Sequence, residues 1–197
     1  MKRLMFDLLR QTKRPAGIYS CDLHSCYDRI VHSFASLAMQ RAGAPRTAIV
    51  SMLKTISKLK HTVRTIYGDS EQTFGGEDWR QLDPLHGIGQ GNGAGPVIWA
   101  VVSSVLFDYI RDKGYGAKLY SPLSKLALHF VGLGFVDDTD IVELDFASED
   151  YWEVAAKLQE ALRLWEKGAT TTGGLLLPKK ELVLLNEFQL GRWRVEL

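Results

Sequence analysis

Two apolar segments of this chain run directly into carboxylates, and that pattern limits what it can fold into. Residues Ala16 to Cys21 are short, apolar and β-permissive, and they end at Asp22. Phe130 to Val136 has the character of a buried strand and delivers the adjacent pair Asp137-Asp138 to a tight turn, with Asp140 close behind. Adjacent carboxylates repel and shift one another's ionisation, and a hard cation such as Mg²⁺ relieves the repulsion. An acid at the end of each of two neighbouring strands is the donor set that a two-metal site requires. Either string alone is also what a β-hairpin with an acidic turn, or a strand followed by a capped helix, would show.

The rest of the chain alternates between the two periodicities. A helical stretch is expected around Asp28 to Gln40, and Pro45 opens a second helix with Ile49, Met52, Leu53 and Ile56 at helical spacing. His61 to Tyr67 reads as a strand with Val63, Thr65 and Tyr67 alternating, turned back at Gly68-Asp69 and again at Gly75-Gly76. From Leu85 to Pro96 glycine recurs at every second position, Gly87 to Gly95, ahead of an apolar helix over Val97 to Ile110. Ile141 to Leu144 is a return strand. Ser148 is expected to cap a helix with the stripe Tyr151, Ala155, Leu158, Leu162 and Trp165, and Leu175 to Leu177 with Leu182 to Leu185 form a last strand pair. This order predicts an α+β fold, helices on one face of an antiparallel sheet, in a single domain over residues 1–197.

Composition narrows the function classes. Apolar residues make up 46% and charged residues 24% of 197, an ordinary globular balance, and no apolar run has the length to span a bilayer. The first residues carry charge inside their apolar stretch and make a poor signal peptide, so an intracellular protein with no membrane partner is expected. Cys21 and Cys26 are too few for a disulfide scaffold, and with His24 they fall short of the four ligands of a structural zinc site. The net charge of +1 hides segregation. From Arg29 to Gly68 there are seven basic residues and no acid, while from Phe135 to Glu153 there are eight acids and no lysine or arginine. One part is suited to phosphates and the other to cations. The loop also matches G-x-G-x-x-G/A through Gly89, Gly91 and Ala94, but no strand leads into it and prolines bracket it, so the dinucleotide-binding context is missing.

Taken in order, the strings resemble the motifs of the reverse transcriptase family, especially retrotransposon enzymes. Asp22 with Tyr27-Asp28 resembles motif A, Gly87-Ile-Gly89-Gln90-Gly91 motif B, Phe135-Val136-Asp137-Asp138 motif C, and Gly173-Gly174-Leu175 to Lys179-Lys180 motif D. Two positions depart from the family pattern: Gly89 stands where proline usually precedes the glutamine, and Asn92 where serine usually follows. The resemblance implies a polymerase palm with fingers and thumb largely missing, these being expected in the parent protein. It implies RNA-templated addition of deoxynucleotides to a primer 3′-OH, with RNA template, DNA primer and deoxynucleoside triphosphates as partners and Mg²⁺ (or Mn²⁺) as cofactor. Asp22, Asp137 and Asp138 would be catalytic metal ligands, and Lys180 or its neighbour Lys179 the proton donor to the leaving group. Tyr27, Gln90 and Gly91 would contact the nucleotide, and Arg41, Arg46, Lys54, Lys58, Lys60 and Arg64 the nucleic-acid backbone. The competing readings are a folded, RNA-binding retrotransposon remnant that catalyses nothing, another palm-type nucleotidyltransferase, and a plain α+β interaction module.

Overall fold

The structure, a computed structural model, describes residues 2–76, 87–121, 123–136, 138–146, 148, 150–176, 182–186 and 194–196. The chain divides into two compact units, one made of Met1–His24 with Ser103–Leu197 and the other of Ser25–Val102.

The first unit is built on a five-stranded antiparallel sheet, so the α+β architecture expected from the sequence is the one observed. Its strands are β1 (Ala16–Asp22), β6 (Gly132–Phe135), β7 (Asp138–Leu144), β8 (Leu182–Asn186) and β9 (Arg194–Glu196), in the order β6-β7-β1-β8-β9. β1 is central and pairs with β7 from Ala16 opposite Leu144 to Asp22 opposite Asp138. Directly opposed residues share a face. Ala16, Ile18, Val142 and Leu144 therefore form one apolar patch, and Leu9 of α1 (Lys2–Thr12) and Ala117 of β4 (Ala117–Tyr120) close a core over it. Helix α6 (Tyr151–Thr171) packs across β1 and β7 and buries Val154, Leu158, Ala161, Trp165 and Ala169. Their spacing of three and four residues is one helix face. Trp165 stacks on Phe107 of α5 (Gly95–Asp112) with ring centroids 5.1 Å apart.

Several sequence expectations change here. The buried stripe of α6 shares only Leu158 and Trp165 with the predicted one. Its N-cap is Asp150, which accepts from the Trp152 N–H at 2.8 Å, while the Ser148 hydroxyl donates to Glu153 at 2.7 Å. The expected strand from Phe130 to Val136 is two strands. β5 (Ala127–Phe130) pairs with β4 as a separate ribbon, Val131 breaks the run, and β6 joins the main sheet. Gly132 permits the switch: a Cβ there would lie 2.2 Å from the Asp140 carbonyl oxygen. In the last expected pair, Leu176 makes only an isolated bridge to Leu23, and β8 pairs instead with β1 and β9.

The second unit begins with α2 (Cys26–Arg29), then α3 (His32–Arg41) and α4 (Arg46–Ser57), which Pro45 caps as expected. The helix expected from Asp28 to Gln40 is interrupted, because Ile30 and Val31 take extended backbone with ψ of 120° and 119°. β-Branched residues resist the crowding of a helix turn, and here Ile30 is 1% exposed. The ribbon of β2 (Lys60–Thr65) and β3 (Gly68–Gly75) follows, and α5 opens in this unit and ends in the other. Among the described residues no helix is long and apolar enough to cross a membrane.

One buried acid in the first unit carries a pH dependence. Glu143 is 3% exposed and accepts from the Gly116 N–H at 2.7 Å. Burial pushes its carboxyl from the ordinary 4.5 up to about 7, against the pull of that hydrogen bond and of Lys157. The folded state thus holds this proton more tightly than the unfolded state. The Glu143 contribution to stability falls as pH rises from about 4.5 to about 7 and is level on either side. Glu143→Gln should unfold at the same temperature as the parent at pH 4 and several degrees higher at pH 8. A thermal melt series across that range checks it.

Candidate active site

The acidic end of the main sheet follows from the β1–β7 register. Asp22 lies opposite Asp138 and Ser20 opposite Asp140, so all four side chains belong to one face, continuous with the apolar patch of Ile18 and Val142. Asp140 is 5% exposed and accepts a hydrogen bond from the Ser20 hydroxyl. Asp138 is exposed and Asp22 half-buried. Like charges set directly across a ladder repel, and a divalent cation held by oxygen ligands reverses the sign of that interaction. Among the described residues no three metal-ligating side chains form a closed set. Magnesium takes one or two carboxylates and keeps several waters, so the Asp22–Asp138 pair has the chemistry for that ion. Asp137, which the resemblance pairs with Asp22 as a metal ligand with Asp138 in support, lies outside the described residues, as do Lys179 and Lys180.

The hairpin leading to these acids is strained. Val136 has a φ of +60° and Phe135 is 77% exposed. A β-branched residue in the left-handed region costs on the order of 1–3 kcal/mol, a device found at functional turns.

In the second unit, the glycine-rich segment is fastened to α2. The Ile88 N–H donates to the Tyr27 carbonyl at 2.8 Å, and the Gln90 N–H to the Asp28 carboxylate at 2.7 Å. An imidazole nitrogen of His32 hydrogen-bonds the Gly87 carbonyl. Gly87 sits at φ +79°, and a Cβ there would lie 2.2 Å from the Asp28 carbonyl carbon. Tyr27 is 9% exposed, its ring 3.2 Å from where a Gly95 side chain would start. Asn92 ties the segment to itself, donating to the Ile88 carbonyl at 3.1 Å and accepting from the Ala94 N–H at 3.0 Å. Gln90 and Gly91 are exposed. Sequence reasoning placed Asp28 in a motif without a task; only its spacing beside Tyr27 hinted at one.

The basic residues are spread over three elements. Arg41 ends α3, Arg46 and Lys54 lie on α4, Lys58 follows it, and Lys60 and Arg64 lie on β2; all are exposed. The acid-free block ends at Gly68, and the next residue answers it. Asp69 receives the Arg64 guanidinium in a fork of 2.6 and 2.9 Å, which holds Arg64 above and Asp69 below their ordinary ionisation ranges.

The fold of this chain is shared with solved structures of telomerases. It is similar to apo telomerase from Candida tropicalis truncated from its C-terminal domain, with a TM-score of 0.60, 14% identity and 97% of this chain covered. It is also similar to telomerases of Candida tropicalis and Candida albicans solved with a TWJ fragment of telomeric RNA, with TM-scores of 0.57 and 0.50, 14% identity each, and 94% and 93% of this chain covered. The chain spans about a third of those chains, 35%, 29% and 29% of their lengths. No protein-family model and no curated protein sequence matches it.

The fastened loop predicts an order of substitution effects. Gly91→Ala meets only left-handed strain, about 1–2 kcal/mol, because nothing lies within 4 Å of its would-be Cβ. Gly87→Ala must also displace backbone and should cost clearly more in urea unfolding. Equal losses would mean the segment is not held against α2.

Proposed function

We propose that this chain is the catalytic palm of a reverse transcriptase, which adds deoxynucleotides to a primer 3′-OH under the direction of an RNA template. The observation that carries the reading is the register that sets Asp22 against Asp138 at the polar end of a palm-like sheet. Asp22 and Asp138, with Asp137, would hold Mg²⁺ or Mn²⁺. Such ions, when bound in pairs, stabilise both the attacking and the leaving oxygen of an in-line displacement. Asp140, buried and held by Ser20, stands behind the pair on the same face without reaching solvent itself. Tyr27, Gln90 and Gly91 would contact the incoming nucleotide, the tyrosine ring excluding a 2′-hydroxyl by shape. Lys180, or Lys179, would give a proton to the departing pyrophosphate. The exposed basic residues from Arg41 to Arg64 would follow the phosphate backbone of template and primer. The motif strings favour a retrotransposon-type enzyme, while the solved structures of similar fold are telomerases; the chemistry is common to both.

Two measurements test this. In the absence of divalent ions, Asp22→Asn and Asp138→Asn should each raise stability by roughly 0.2–1 kcal/mol, because a cross-strand repulsion is removed. Mg²⁺ or Mn²⁺ should raise the melting temperature of the parent and not of either variant. Primer extension on RNA and DNA templates then separates a polymerase from a silent remnant: Mn²⁺ binding with no extension on either template supports the remnant. Where extension is seen, Tyr27→Ala should increase ribonucleotide incorporation and Tyr27→Phe should not.

A further inference from the structure

The β2–β3 ribbon is unlike the rest of the molecule, since nearly all of its side chains face solvent. At its tip Ile66 and Tyr67 are 91% and 93% exposed, and Val63 and Phe74 are 51% and 37% exposed. An aromatic and an aliphatic residue side by side at full exposure forgo the burial that normally places them inside.

The tip is also held rigidly. The Thr65 hydroxyl accepts from the Tyr67 N–H at 3.2 Å and donates to the Gly68 carbonyl at 3.2 Å. Just below it, Arg64 and Asp69 are opposed in register and joined by their fork. One step further the Ser70 hydroxyl accepts from the Val63 N–H at 3.0 Å and donates to the Gln72 carbonyl at 2.7 Å. Side-chain bonds on three successive levels present Ile66 and Tyr67 in one place. Such preorganisation lowers the ordering cost of binding.

The charge along this ribbon selects the partner. Lys54, Lys58, Lys60 and His61 are exposed on the preceding helix end and the ribbon, and no acid occurs in the sequence from Arg29 to Gly68. Asp69 is occupied by Arg64, which leaves Glu71 as the other acid of the ribbon. Lys60 opposes Gly75 at the far end of the ribbon, about 20 Å of strand from the tip, so an aromatic ring at one end and lysines at the other fit a chain of bases and phosphates several nucleotides long. They fit an unpaired strand in particular, because the face of a base is accessible only where it has left the duplex.

We propose that the β2–β3 ribbon is a binding site for single-stranded nucleic acid, in which Tyr67, backed by Ile66, stacks on an unpaired base at the tip while Lys58 and Lys60, at the other end of the ribbon, meet phosphates several nucleotides away. This rests on the reading that the chain binds nucleic acid, and it adds the site, the strandedness and the non-electrostatic part of the affinity. It requires no metal, nucleotide or catalysis.

The test is binding of a labelled oligouridylate and of an RNA duplex to the full chain, in EDTA without nucleotides, over a range of salt concentrations. Tyr67→Ala should weaken single-strand binding about 10-fold at every salt concentration, leave the salt slope unchanged and spare duplex binding. Tyr67→Phe should bind like the parent. Lys60→Gln should instead flatten the single-strand salt slope by about 0.7. Tyr67 and Ile66 touch no core, so circular dichroism of the variants should match the parent. Single-strand affinity unchanged in Tyr67→Ala overturns this proposal alone, because nucleic-acid binding would persist by another surface. No binding of either probe by the parent overturns it together with the nucleic-acid reading, and the cation-dependent melting of Asp22→Asn then decides separately on the metal site. A self-association that Tyr67→Ala abolishes, with no effect on oligouridylate, would assign the tip to a contact between copies and overturn the proposal.

Discussion

The antiparallel register of β1 against β7 is the constraint on which the rest of the first unit depends. The alignment that sets Ala16 against Leu144 and Ile18 against Val142 also sets Ser20 against Asp140 and Asp22 against Asp138. A slip of one residue would send every one of these side chains to the opposite face. Magnitudes show which end of the ladder decides the register. Burying each large apolar side chain contributes roughly 1.5–3 kcal/mol, whereas like charges across a ladder cost roughly 0.2–1 kcal/mol. The core around Leu9, Ile18, Val142 and Leu144 therefore holds two acids where, left to themselves, they would not stay.

The polar groups near that core are managed rather than excluded. Asp140 is answered by Ser20, and Glu143 by the Gly116 amide. Lys157 of α6 bridges Asp145 at 2.7 Å and Glu153 at 2.9 Å, which binds the end of β7 to the first turns of the helix and keeps the ammonium protonated. At the hairpin turn Val136 is in a left-handed conformation, Phe135 is in solvent and Asp138 is exposed, and within β7 the buried Thr139 hydroxyl has no hydrogen-bond partner among the described residues. Strain and exposed charge thus meet at this end of the β1–β7 ladder.

The second unit applies a different device to the same problem of placement. A glycine-rich segment has little structure of its own, so its shape is supplied by neighbours: the Tyr27 carbonyl, the Asp28 carboxylate and His32 each take one backbone group of residues 87–90. Glycine at position 87 is required by contact as much as by backbone angle, because the α2 backbone occupies the space of a side chain. The departures of this loop from the reverse transcriptase pattern are absorbed locally. Asn92 closes a turn through both ends of its amide, in the place where the family has serine.

Much of the plan was legible in the sequence, because the cues were local. Pro45 starts α4 and the apolar run behind Pro96 becomes α5, but the alternation expected through Tyr67 ends at Thr65, and the strand that runs into the acid pair, β6, is separated from β1 by β7, so Asp138 meets Asp22 only as the first residue of the return strand. Asp150 rather than Ser148 caps α6, and α3 starts directly after a two-residue break at Ile30-Val31, because caps and interruptions are settled by small competing terms within one turn. The split of residues 127–135 between two sheets was illegible for a deeper reason: β5 and β6 share one apolar pattern, and their partners, β4 and β7, lie elsewhere in the chain. The sequence by itself determined which segments are apolar and which residues carry charge, since these depend on each residue and its near neighbours, whereas the turn expected at Gly68-Asp69 falls two residues earlier, at Ile66-Tyr67. Only the tertiary structure decided that Asp138 faces Asp22 and that Asp28 holds Gln90, because pairings between distant segments are set by the packing of whole strands and helices.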